Sequence, residues 1–258
     1  MTFVAAVLVG LAVGVVLGAL GGGGAIITIP VLAYGFGLGA LESTTASLVI
    51  IGSSSIVAMA AHARAGHLDW ARGLVFAGIG TVGAVAGSFL ARGLDPALLM
   101  LAFGALLVVV AALMLRPSRP HDPGSEPPSL RTPRTLVPTI LAALLVGTLT
   151  GFFGVGGGFA IVPALTLLLG LPMRTATATS LLVIAINSAA ALVSKLGLGV
   201  PVDWPFVAAF TVATMVGSLG GVRVAGRVDP ALLRRAFAVL LLAVSTYTLV
   251  STGLALAG

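Results

Sequence analysis

Four consecutive glycines, Gly21 to Gly24, interrupt an apolar stretch that would otherwise form one membrane helix. The interruption returns near mid-chain as Gly154-Val155-Gly156-Gly157-Gly158. In both places a proline follows six residues after the corresponding glycine: Gly24 leads to Pro30 and Gly157 to Pro163. A glycine inside a helix costs about 1 kcal/mol relative to alanine. In hydrocarbon, non-helical backbone is tolerated only where protein buries it or where it lines a cavity. The rest of the chain must therefore enclose these two breaks, and our reading is that it holds them facing one another.

That the breaks lie at membrane depth follows from composition. Of 258 residues, 59% are hydrophobic and 8% charged, about a third of the charge density of a soluble domain. Apolar runs long enough to cross a bilayer recur from end to end, which makes this an all-α polytopic membrane protein. The short alternating segments of a β-barrel are absent. Met1-Thr2-Phe3 carries no basic residue, so the first run reads as a retained membrane segment rather than a signal peptide. Without cysteine there is neither a disulfide framework nor a thiolate metal site. The isoelectric point near 11.3 reflects lysine and arginine gathered on the cytoplasmic side; nucleic acid is not an expected partner.

The apolar blocks fall into two copies. The first repeat, residues 1–115, contains a broken block over 2–36 and helices over 43–61, 73–91 and 96–115. A Pro-, Ser- and charge-rich stretch over 116–134 reads as a solvated cytoplasmic linker. The second repeat, residues 135–258, contains a broken block over 136–170 and helices over 175–196, 205–225 and 230–254. At an offset of 133, Gly14, Gly18, Gly21, Gly23, Gly24, Pro30, Gly37, Thr44, Ser47 and Ser55 meet identical residues in the second copy. At 134, Asp69-Trp70 meets Asp203-Trp204, Gly83 and Gly87 meet Gly217 and Gly221, and Asp95-Pro96-Ala97-Leu98-Leu99 repeats from Asp229. The last pair suits helix starts, with Asp as N-cap and Pro as first residue.

The basic residues choose between topologies. If each broken block crosses once, Arg64, Arg72, Arg116, Arg119, Arg131, Arg134 and Lys195 face Arg92, Arg174, Arg223, Arg227, Arg234 and Arg235, seven against six. If each broken block is a hairpin that enters and returns, the split becomes eleven against two, Arg92 and Lys195. The positive-inside rule favours the hairpins. The second repeat is then inverted relative to the first, and both termini lie outside the cytoplasm.

Inverted repeats with broken helices are a recurring transporter plan, in which half-helix N-termini face anionic groups. The backbone around Gly22, Gly23, Gly24 and Ala25, and around Gly156, Gly157 and Gly158, would supply N–H donors; close packing of small residues is the alternative. The next helix of each copy carries a polar stripe, Thr44, Ser47, Ser54 and Ser55 in one and Thr177, Ser180, Asn187 and Ser188 in the other. Spacings of three, seven and eight place each set on one face. These groups can donate to an oxyanion, or they can bond helix to helix or to their own backbone. Gly83, Gly87, Gly217 and Gly221 fit small-residue helix packing. Arg64 and Arg72, in a cluster with His62, His67 and Asp69, would gather anions at a cytoplasmic mouth, or would simply belong to a solvated basic loop with Trp70 at the interface.

All seven acids, Glu42, Asp69, Asp95, Asp122, Glu126, Asp203 and Asp229, fall at block ends or in loops. Proton relays and cation carriers keep an ionisable group within the membrane, and a divalent-metal site needs clustered His, Asp or Glu. No nucleophile–base arrangement lies within a span. The expectation is an anion carrier with no cofactor, no metal and no catalytic residue.

The quoted residues resemble a known family. Gly-x-x-Gly-x-Gly-Gly-Gly followed by Val-Pro (Gly151 to Pro163), Thr-Ala-Thr-Ser-Leu (Thr177 to Leu181), Asn187-Ser188 and His62-x-Arg64-x-Gly66-x-x-Asp69-Trp70 are similar to the TauE/SafE sulfite exporter family. The resemblance covers both repeats. It implies a multi-pass transporter of a bacterial-type cytoplasmic membrane, built from inverted repeats on helical hairpins. The implied substrate is sulfite, sulfoacetate, another organosulfonate or a related small anion; our expectation is that it moves outward, with rocking of one repeat against the other alternating access. A passive anion channel, another small organic anion as substrate, and a membrane enzyme or assembly factor are the alternatives. A homodimer is the assembly to be tested. The first copy departs from the pattern: Ser54 stands where Asn187 does, and Ala25 where Gly158 does.

Overall fold

A computed structural model of the chain describes residues 2–91, 94–116, 133–153, 158–195 and 202–257. Most of the linker and residues Gly154, Val155, Gly156 and Gly157 of the second glycine run lie outside the described residues. Among the described residues there are ten α-helices: α1 (Thr2–Leu20), α2 (Gly23–Pro30), α3 (Ala40–Arg64), α4 (Trp70–Leu90), α5 (Pro96–Leu115), α6 (Pro133–Phe153), α7 (Gly158–Pro163), α8 (Met173–Lys195), α9 (Trp204–Arg227) and α10 (Pro230–Ala257). All but α2 and α7 are long and apolar enough to cross a membrane. No strand occurs among the same residues.

Four of the acids at block ends are helix caps. Asp95 Oδ1 accepts from the N–H of Ala97 at 2.7 Å, and Asp229 Oδ1 from that of Ala231 at 2.6 Å. Asp203 Oδ1 does the same for Phe206 and Asp69 Oδ1 for Arg72, satisfying donors that a helix start leaves orphaned. This is why α4 begins at Trp70 rather than at Gly73. At the other end of the preceding helix, α3 runs on to Arg64, so His62 and Arg64 belong to a helix and not to a loop.

The broken blocks fold as their glycines and prolines dictate. Gly21 takes φ +66° while its N–H donates to Leu17 O at 2.7 Å, a left-handed C-terminal stop that costs a residue with a Cβ about 1 kcal/mol or more. The chain then doubles back: a Cβ built on Gly24 would lie 2.6 Å from Leu17 Cβ. Farther on, Pro30 and Pro163 each sit at the end of a short α-helix that continues as π-helix, Val31–Gly35 and Ala164–Leu168. Proline lacks the N–H for the carbonyl four residues back and crowds it, and the wider turn absorbs the mismatch. Left-handed glycines, Gly37 and Gly170, end both segments at matching positions.

Packing follows the repeat. The principal neighbour of α1 is α9, and that of α6 is α4; α3 packs on α8 and α5 on α10. Each repeat thus lays its first helix along the fourth helix of the other. A Cβ on Gly14 would fall 2.2 Å from Thr214 O, and on Gly18 2.0 Å from Ser218 O. Their counterparts Gly147 and Gly151 stand equally close to Gly80 O and Ala84 O, at 2.1 and 1.8 Å. Gly83, Gly87, Gly217 and Gly221 complete these seams from the α4 and α9 sides. Without a hydrophobic drive between helices in lipid, such close backbone approach is what associates them. The order of these approaches along each helix makes α1 parallel to α9 and α4 parallel to α6. Between α3 and α8 it runs the other way: Thr44 pairs with Lys195, Gly52 faces Ser188, and Thr179 reaches Asp69 just beyond the end of α3.

Candidate functional site

The two glycine breaks meet. A Cβ built on Gly22 would lie 1.6 Å from Gly158 O, and one on Gly158 would lie 3.1 Å from Gly22 Cα and 3.2 Å from Ala25 Cβ. Gly22 is the N-cap of α2 with no side-chain cap, and Gly158 opens α7. Gly23 and Gly24 are buried behind them against α10 and α1; the backbone of Leu17 leaves no room for a side chain at Gly24, while Gly23 faces the tip of the Leu240 side chain. Gly156 and Gly157 lie outside the described residues.

The N-terminal part of α8 walls this meeting point. A Cβ on Gly21 would stand 2.4 Å from Ser180 Oγ and 3.3 Å from Thr177 Cγ2. Ser180 is fully buried and donates to Thr177 O at 2.8 Å, the back-bonding alternative for a buried serine. Thr177 is different: its Oγ1 is buried and has no hydrogen-bond partner. The same holds for Ser54 Oγ and Ser55 Oγ on α3. Burying an unpartnered hydroxyl costs about 1–3 kcal/mol, so these three donors are the strongest candidates to bind something that arrives from solution.

The remaining stripe residues are distributed along the α3–α8 pair. Ser47 is buried on α3, and Ser188 packs against Gly52 at mid-length. Thr44 lies at the far end, where Lys195 Nζ donates to its Oγ1 at 2.8 Å. Partial burial lowers the Lys195 pKa. Asn187 looks toward α4 and α6: its Oδ1 accepts weakly from Thr81 Oγ1 at 3.4 Å. There it lines a small cleft with Phe76, Gly80, Gly147 and Thr150. The structure therefore gathers Gly21, Gly22, Gly158, Thr177 and Ser180 in one place and sets Thr44 and Asn187 apart from them.

The basic cluster is more structural than its composition suggests. Arg72 is 5% exposed, and its guanidinium is paired with the Asp69 carboxylate. Asp69 N–H in turn donates to Thr179 Oγ1 at 3.2 Å. Arg64 is exposed. His62 is buried, and its Nε2–H donates to Gly18 O at 3.0 Å, tying the end of α3 to the last turn before the glycine break. Composition alone places His62 in a basic loop; its position on the α3 face four residues after Ala58, itself fully buried, is the signal that could have found it. His67 has a lowered pKa, first from burial and then from the charge of Arg174.

The family model described as "Sulfite exporter TauE/SafE" matches residues 6–248. A probable membrane transporter protein of Xylella fastidiosa strain 9a5c is 36% identical over 248 residues, covering 92% of this chain and 91% of the relative. One from Methanocaldococcus jannaschii is 30% identical, covering 74% and 71%. YunE of Bacillus subtilis, another probable membrane transporter protein, is 28% identical, covering 84% and 86%. No solved structure matches the chain.

Proposed function

Because the chain belongs to the TauE/SafE sulfite exporter family, and is thus a multi-pass membrane transporter rather than an enzyme, we propose that it carries a small sulfur-containing anion. Sulfite, sulfoacetate and other organosulfonates are the class, and export across a bacterial-type cytoplasmic membrane is the direction. The observation that carries the reading is the junction of Gly22 with Gly158 beside the unpartnered Thr177 hydroxyl. An oxyanion there would receive backbone N–H groups from the start of α2 and the hydroxyls of Thr177 and Ser180, with Ser47, Ser54 and Ser188 along the route between α3 and α8. Thr44 and Asn187 would meet the anion as it enters or leaves. The carboxylates of the sequence keep to the ends of the spans or lie between them, so none competes at the junction. Neutral donors suit a substrate that must also depart, since they hold charge without the long dwell of a full ion pair.

We further infer that the repeats are inverted in the membrane, with both termini extracytoplasmic. The antiparallel run of α3 against α8 supports this, as does the distribution of arginine. Rocking of one repeat against the other about the glycine junction would alternate access.

The test is flux in proteoliposomes containing the purified protein, across a panel of sulfite, sulfoacetate and taurine. Saturable flux stimulated by substrate on the trans side is expected. No flux or binding for any member would overturn the anion assignment; flux indifferent to trans substrate would make the protein a channel. Reporters fused to both termini should register outside, and a cytoplasmic N-terminus would sink the topology.

A further inference from the structure

A second site lies away from the glycine junction and does not depend on the transport reading. The C-terminal half of α1, the end of α9 and the first turns of α10 leave between them an open apolar groove of about 250 Å³. Val16 and Leu20 of α1, Val224 and Val228 at the end of α9, and Leu232 and Ala236 of α10 line it. Arginines stand next to the lining residues along both α9 and α10. Arg227 is the neighbour of Val228 and lies one turn from Val224; Arg223 is one turn earlier. Arg235 adjoins Ala236 and lies one turn from Leu232. All three are exposed.

None of the three has a carboxylate partner among the described residues, where the one ion pair is Arg72 with Asp69. The acid nearest in sequence, Asp229, is occupied in capping α10. Arg223 reaches only a carbonyl of its own helix, Leu219 O, at 3.4 Å. Three guanidiniums without a carboxylate partner are therefore carried by the two helix ends that line one side of the slot. The slot is open on one side and wholly apolar in lining, the chemistry that takes an acyl chain, whose burial follows ordinary apolar transfer. Guanidinium forks match phosphate oxygens in pairs, and basic pockets between membrane helices take anionic head groups.

We propose that the groove between α1, α9 and α10 is a binding site for an anionic phospholipid, one acyl chain lying in the groove and the phosphate held by Arg223, Arg227 and Arg235. The bound lipid would bridge α1 to α10, whose Leu240 already lies against Gly23 at the glycine break.

Native mass spectrometry of the full chain in detergent, titrated with phosphatidylglycerol and separately with phosphatidylcholine, tests this. The wild type should prefer phosphatidylglycerol. R227Q/R235Q should weaken phosphatidylglycerol about 30-fold, two arginines at about 1 kcal/mol each, and leave phosphatidylcholine unchanged. Filling the groove by A236F, or by V224F if the first variant does not fold, should weaken both lipids. Equal affinity of the wild type for the two lipids would overturn the proposal. So would wild-type phosphatidylglycerol binding by R227Q/R235Q, or by a folded groove-filling variant. Because the readout is lipid binding, the outcome is separate from that of the flux assay.

Discussion

Two glycines on one helix should respond to the same substitution with opposite signs. On α4, a Cβ at Gly87 would lie 2.0 Å from Thr148 O and 2.8 Å from Phe152 N, while at Gly78 nothing stands within 4 Å. A methyl group and a carbonyl oxygen cannot rest at such a distance, so Gly87→Ala must push α4 and α6 apart by about 1 Å along the seam, and the backbone atoms opposite cannot rotate out of the way. Overpacking of this kind costs about 1–3 kcal/mol, and each close Cα–H···O interaction that opens with it removes about 0.5–1 kcal/mol. Alanine's better helix propensity returns up to about 1 kcal/mol. The net expectation, from these same terms, is destabilisation by about 0.5–3 kcal/mol at Gly87 and stabilisation by up to about 1 kcal/mol at Gly78. Gly221, whose Cβ would meet Val15 O at 2.2 Å in the equivalent seam, should follow Gly87. Unfolding in mixed detergent micelles, followed by helical signal, measures all three. If Gly87→Ala were as stable as Gly78→Ala, the seam would not be what holds α4 to α6.

Gly22→Ala brings a methyl to 1.6 Å from Gly158 O. It should remove nearly all flux from reconstituted protein, while Gly37→Asn, at a left-handed position with open space around it, should retain it. Thr177→Val deletes an unpartnered buried hydroxyl at nearly constant shape. Stability without ligand should be unchanged or slightly higher, while anion affinity falls about tenfold or more, because a hydrogen bond to a charged group is worth about 1.5–3 kcal/mol; equal affinity would remove Thr177 from the site. His67 has a folded-state pKa below its unfolded value of about 6.5. Below that pH the unfolded chain binds the extra proton, so His67 costs stability as pH falls through and beneath about 6.5 and costs nothing above it. His67→Gln should flatten the decline of the unfolding midpoint between about pH 7 and 5, and an unchanged slope would refute the assignment.

Much of this architecture can be read from residues alone, for local reasons. Run length and charge poverty establish spans in a bilayer, and Asp-Pro pairs mark helix starts whose caps involve only neighbours in sequence. Gly83 and Gly87 read as packing residues because their spacing returns them to one helix face. What local pattern cannot supply is a partner from far along the chain. Spacing puts Thr177, Ser180, Asn187 and Ser188 on one face of α8, but a helix of 23 residues passes several neighbours. Its start meets Gly21, whereas Asn187, farther along, enters a cleft between α4 and α6. Arg72 resembles a loop cation until its pairing with Asp69, whose N–H is held by Thr179, is seen. The break in repeat symmetry is the most instructive case. Ala25 stands where Gly158 does, and composition offers no reason for the difference. At the junction the pair is not equivalent. Gly158 presents its carbonyl to Gly22, and its own Cβ would meet Gly22 Cα at 3.1 Å and Ala25 Cβ at 3.2 Å. With Ala25 on that side, a methyl at position 158 fits only if its neighbours give way by a few tenths of an ångström. The asymmetry is therefore felt at the junction, and Gly158→Ala should press the two turns apart by a few tenths of an ångström.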